Sequence, residues 1–205
     1  RHAEDRPMTE SGGELGRGFS VEVAKAWERA LFDAELPGTR RVALRSAIVL
    51  GDGGVLGPIR GLARLGLGGA QCDGWWPVTH ARLKAGTAHR RGSGGGRQRF
   101  SWIHIEDAAR IIDFLEQHSG IDGAVNASAP NPVDNRGLMA AVRRVLGAPF
   151  GPPVPRWALE LGAIGLRTET ELVLKSRWVL PERLLEAGFA FAYPELEPAL
   201  RDALA

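Results

Sequence analysis

Apolar residues recur three and four apart from Phe19 through Val23, Ala26, Trp27, Ala30 and Leu31. This spacing predicts an amphipathic helix with Ser20 as its N-cap, Pro37-Gly38 as its stop and Trp27 in the core. The run Arg41–Leu50 is nearly continuous in apolar residues and is followed by Gly51-Asp52-Gly53-Gly54. It predicts a strand buried on both faces of a parallel sheet. Arg45 interrupts this strand, either as a salt-bridged structural residue or as a polar group near a pocket. Residues 55–67 predict a second helix with a small-residue exit at Gly66–Gly69.

The most informative change of period lies between Arg97 and Leu115. Phe100, Trp102, Ile103 and Ile105 are extended in pattern, whereas Ala108, Ile111, Ile112 and Leu115 repeat at helical spacing. A strand therefore runs directly into a helix, with Asp107 as the expected N-cap. Such junctions place polar groups at strand ends, where α/β proteins build ligand pockets. Downstream, residues 120–129 predict a short strand, and Asp134 caps a helix reaching Leu146. Pro149 to Pro155 form a stiff linker. The tail, 156–205, predicts short helices broken at Pro181 and Gly188, with Phe189–Pro194 as an extended aromatic segment docking through its rings.

The 205 residues suffice for one domain with a sizeable core, or a domain with an appendage. A net charge of +2 with scattered basic residues does not indicate nucleic-acid binding, and Arg90-Arg91 is the one local exception considered. A single cysteine, Cys72, excludes an intramolecular disulfide and fits a reducing compartment. No apolar run is long enough to span a bilayer, so no membrane partner is expected, and the first residues lack the apolar core of a signal peptide. The cytoplasm is the expected location. The chain starts with Arg1 in a polar, glycine-rich stretch, so a fragment is expected.

Residues 70–96 hold Cys72, Trp75-Trp76, His80, His89 and a glycine run with little periodicity. The Cys and His spacings close no zinc site, so no metal centre is predicted. The stretch is expected to be a surface excursion, with the tryptophans as an exposed contact patch. Gly53-Gly54 matches neither G-x-G-x-x-G nor a P-loop. No G-x-S-x-G elbow and no H-E-x-x-H occurs. Glu106 and Asp107 are adjacent and point in different directions on a helix. His104 sits at the strand-to-helix junction, either as a group acting at neutral pH or as an imidazole satisfied by a neighbouring carbonyl. No catalytic residue is assigned.

Four blocks, Val42–Leu50, Gly96–His104, Val125–Pro132 and Leu180–Phe189, together resemble the atypical extended short-chain dehydrogenase/reductase family, of the NAD-dependent epimerase/dehydratase-like type, whose members carry a C-terminal domain of unknown function at about 150–200 here. The resemblance implies an α/β fold: the C-terminal part of a Rossmann-type parallel sheet plus a mostly helical C-terminal capping region. It divides the chain into a nucleotide-binding remnant (1–69), an atypical insertion (70–96), a substrate-side α/β region (97–149) and the family-specific helical domain (150–205). The glycine-rich dinucleotide loop and the active-site tyrosine of such proteins have no counterpart in this sequence, so the first half of the nucleotide-binding domain is expected to be missing. The implied function is the C-terminal portion of an NAD(P)-dependent epimerase/dehydratase-like oxidoreductase, inactive alone, taking NAD or NADP when intact and acting on a small molecule. Arg45 and Ser46 would lie near the nicotinamide, with Trp102 and His104 lining the substrate side. The competing expectation is a non-catalytic interaction protein, since some relatives are labelled cell-division inhibitors, or a decayed gene product.

Overall fold

The computed structural model describes residues 6–16, 19–77, 80–84, 94–166 and 174–205. His89, Arg90-Arg91 and the side chain of Ser20 lie outside the described residues. The architecture is α/β, and its central pairings are parallel.

The apolar run predicted as one strand divides in two. β1 (Val42–Ser46) pairs in parallel with β6 (Gly123–Ala127), in a register that sets Arg45 beside Asn126 and Ser46 beside Ala127. At Ala47 the chain changes partner: the Ala47 amide still donates to Ala127, but the Ile48 amide donates to Ser101. β2 (Ile48–Leu50) then runs parallel to β5 (Trp102–His104). The expectation of burial on both faces fails here, because residues 42–45 are only half-buried and Val49 is exposed. Periodicity reports which residues are apolar, not whether a neighbouring layer covers them.

The same distinction corrects Trp27. Helix α1 (Phe19–Phe32) forms as predicted, yet Trp27 is 73% exposed. The helix is held by its polar groups. Arg41 Nη1 donates to the carbonyls of Leu31 and Phe32, which have no intrahelical partner at a C-terminus, and Arg45 grips Glu28.

β5 separates two cores because successive strand side chains point to opposite faces. Trp102 packs with Leu50, Leu56, Leu138, Met139 and Leu200, whereas Ile103 packs with Ile111, Val125, Leu184 and Phe189. The first cluster joins α2 (Leu56–Arg64), α5 (Asn135–Leu146) and the last helix; the second lies beneath α4 (Ile105–Gln117). The caps of α5 follow its sequence: Asp134 Oδ1 accepts from the Gly137 amide at 2.7 Å, and Gly147 takes the left-handed conformation (φ 65°) that closes the helix.

The stretch expected to be a surface excursion is partly built into the fold. β3 (Gln71–Cys72) runs parallel to β8 (Val154–Pro155), and helix α3 (His80–Lys84) follows. Gly69 permits this pairing: a Cβ there would lie 1.7 Å from the Pro152 carbonyl oxygen. Of the paired tryptophans expected to be exposed, Trp75 is exposed whereas Trp76 is half-buried. Asp73 is buried and meets Arg156 at the start of α6 (Arg156–Leu166). β4 (Arg99–Phe100) pairs antiparallel with β7 (Val133–Asp134). Two short helices, α7 (Glu182–Glu186) and α8 (Leu196–Ala203), complete the tail.

Candidate functional site

Polar groups gather at the carboxyl ends of β1, β2 and β5. Arg45 makes a two-pronged ion pair with Glu28, with Nε and Nη2 each 2.7 Å from a carboxylate oxygen. The guanidinium hydrogen bond holds Glu28 below the usual carboxylate range, and Glu28 in turn raises Arg45. Of the two readings of Arg45, the structure realises the salt-bridged one. Ser46, at the strand end, is exposed and donates to the Ala47 carbonyl.

Trp102 is fully buried in the core, its indole N–H donating to the Asn131 carbonyl at 3.3 Å. His104 follows it on the same side. Its Nδ1 accepts from the Glu106 amide at 3.3 Å, so His104 itself caps α4 and carries its ring proton on Nε2. That nitrogen lies 3.1 Å from Asp202 Oδ2, close but misaligned for a straight hydrogen bond. The ring also stacks on Tyr193, centroids 3.9 Å apart. Burial and then its bond to Asp202 push the Tyr193 phenol upward, so it stays protonated at neutral pH. With one nitrogen capping a helix and the other facing Asp202, neither nitrogen of His104 stands ready to take a substrate proton. His104 nevertheless borders a concavity shared with Gly51, Asp52, Arg60 and Asp202.

Asp107 is not the cap. It is fully buried within the first turn of α4, where its oxygens accept from the Ala192 and Tyr193 amides at 2.8 and 2.9 Å and pair with Arg110. It ties the aromatic segment to the helix, and Phe189 completes the docking by meeting Phe114 and Phe191 edge to face. The docking expected of residues 189–194 is therefore present, but a carboxylate as well as the rings holds it.

A second polar cluster was not singled out from the sequence. Asn135 accepts from the Gln71 amide and donates to the Gln71 side chain, while Gln98 Nε2 donates to the Gln71 carbonyl. These residues lie far apart in the chain, and the only signal was polar side chains within otherwise core-forming stretches. Arg156 likewise sits buried between Asp73 and Glu160, 3.2 Å from each.

Residues 154–203 match the family model described as a domain of unknown function, DUF1731. Over 203 residues the chain is 33% identical to the epimerase family protein YfhF of Bacillus subtilis, covering 98% of this chain and 58% of that protein. Its relatives are epimerase family proteins. The solved structure of the human epimerase family protein SDR39U1 (isoform 2) with NADPH superposes with a TM-score of 0.75 at 29% identity, over 97% of this chain and 59% of that one. A nucleoside-diphosphate sugar epimerase from Corynebacterium glutamicum gives 0.68 at 25% identity, over 98% of this chain and 34% of that one. The chain thus spans about half the length of the curated epimerase family proteins it matches. The fold expected from the resemblance, and the C-terminal domain of unknown function, agree with these matches.

Proposed function

We propose that this chain is the substrate-side part of an NAD(P)-dependent epimerase-like oxidoreductase, and that it turns over substrate only when joined to a dinucleotide-binding segment. The observation that carries this reading is the state of β1. Among the described residues it pairs with β6 on one side only, its faces are half-buried, and Ser46 is exposed at its carboxyl end. An apolar parallel strand of this kind belongs inside a sheet. The additional length of the epimerase family relatives supports a segment that would lie against it.

The residues present do not fit a whole dinucleotide. A pyrophosphate is ordinarily held by a glycine-rich turn at a helix N-terminus, and the Gly51, Gly53 and Gly54 spacing does not reproduce that turn. Arg45 is committed to Glu28. On this reading Ser46, exposed at the end of β1, is the described residue left to meet the nicotinamide end, and the hydride step falls to groups of the added segment.

Fluorescence titration with NADPH tests the reading. The 205-residue chain should show no saturable binding up to about 1 mM and no NADPH-dependent reduction, whereas a polypeptide extended to the length of its relatives should bind within the usual range of about 1 μM to 1 mM. Saturable binding or turnover by the chain alone would overturn the proposal.

A further inference from the structure

We infer that the concavity at the carboxyl ends of β2 and β5 is a binding site for a zwitterionic α-amino acid with an aliphatic side chain. The site is separate from the place left for the nicotinamide and does not rest on the oxidoreductase reading.

Leu50 and His104, the last residues of β2 and β5, stand side by side in the parallel register, so both strands end at one level. From that level the chain turns into α2 and α4, and the end of α8 closes the third side of a space of about 390 Å³. This volume lies within the range of small-molecule sites, and the crevice outside the carboxyl ends of parallel strands is where α/β sheets place them. Ser46 is four residues back along the chain, up to about 13 Å away.

The wall holds two donors and two acceptors. Arg60, half-buried on α2, makes no ion pair or hydrogen bond among the described residues, and Asp52, exposed at the turn after β2, makes none either. His104 is 1% exposed, and its Nε2–H has no aligned acceptor, although Asp202 Oδ2 lies 3.1 Å away. Asp202 is half exposed and accepts from the Tyr193 hydroxyl, which keeps its carboxylate at the edge of the space. A guanidinium without a partner and a buried N–H without a good acceptor both call for an anionic oxygen. The two carboxylates call for a cation. An anion alone would face Asp52 and Asp202 with only one guanidinium against them, and an amine alone would leave Arg60 unanswered. A carboxylate and an ammonium on one small molecule serve all four groups, the first against Arg60 and His104, the second against Asp52 and Asp202. Ile105, 53% exposed, and half-buried Leu204 supply the apolar part of the wall, so an aliphatic side chain laid on them removes apolar surface from water.

Calorimetric titration of the 205-residue chain with L-leucine, isocaproate, isoamylamine and glycine, with no nicotinamide in any sample, tests the site. Isocaproate lacks only the ammonium of leucine, isoamylamine only its carboxylate, and glycine its side chain. L-leucine should bind saturably at about 1 mM or tighter, and each of the other three should bind about tenfold more weakly or worse, the loss expected of one charge-assisted hydrogen bond or one buried aliphatic group. Arg60→Met and Asp52→Asn should each weaken L-leucine about tenfold or more, while leaving the thermal midpoint of the free chain unchanged, because neither side chain has a partner in it. Should either variant fail to fold, the four titrations of the unaltered chain decide alone. No saturable binding of L-leucine, equal affinity for any of the three fragments, or affinity indifferent to both substitutions would each overturn the site. Failure to bind NADPH at full length refutes the cofactor reading and leaves these titrations untouched.

Discussion

Asp107 shows how far a residue's type constrains its role. An aspartate at the start of a helical period is expected to cap it, and sequence offers no means of seeing that two amides more than eighty positions away require its oxygens. His104 takes the capping role instead, because an imidazole nitrogen can accept an amide hydrogen as a carboxylate does. Asp134, by contrast, was legible, since its partner Gly137 lies three residues on. Asp107→Ala leaves two backbone donors and Arg110 without their acceptor, so urea denaturation should show a loss of about 2–4 kcal/mol, with Asp107→Asn losing less. Glu28 yields a pH prediction. Its carboxyl is held below its unfolded value by Arg45, so the ion pair stabilises the fold above about pH 4.3 and is lost as pH falls through the lower, folded value. Glu28→Gln should cost about 1 kcal/mol at neutral pH, and in thermal melts the deficit should start to shrink as pH falls past about 4.3 and vanish only below the folded-state value.

At the level of elements, local signals were read correctly and coverage was not. The strand-to-helix change at residues 100–105, the Asp134 and Gly147 ends of α5 and the break before α7 all follow from period and punctuation. The failures at Trp27 and residues 41–50 share one cause: an apolar stripe announces a surface to be covered without saying what covers it. Residues 70–77 failed in the opposite sense, because β3 is held by partners from residue 152 onward that no short window contains. The ion cluster beside that strand makes the point testable. Arg156 is the cation between two buried carboxylates, and Arg156→Met should destabilise the chain by about 3–5 kcal/mol in equilibrium unfolding. A loss under about 1 kcal/mol, the value of an exposed pair, would mean that the triad is solvated.

For the whole molecule, the apolar surfaces divide unequally. Both cores are closed where β5, β6 and the tail helices meet, while Trp27 and Leu31 of α1 and Val49 of β2 stay exposed. If the relatives' additional length covers these residues, as proposed, the effect should appear in stability before it appears in catalysis. Covering about 200 Å² of apolar surface contributes about 5 kcal/mol, less whatever ordering the added segment requires. A net gain of about 3 kcal/mol corresponds to about 10 °C in a chain of this size. Thermal melts followed at a signal from the shared residues, such as Trp102 in its closed core, should therefore show a higher midpoint in the extended polypeptide without any cofactor present. Trp27→Ser should lower that midpoint in the extended form and leave it nearly unchanged in the 205-residue chain, where the ring already meets solvent. Equal sensitivity of both forms would show that the added segment packs elsewhere.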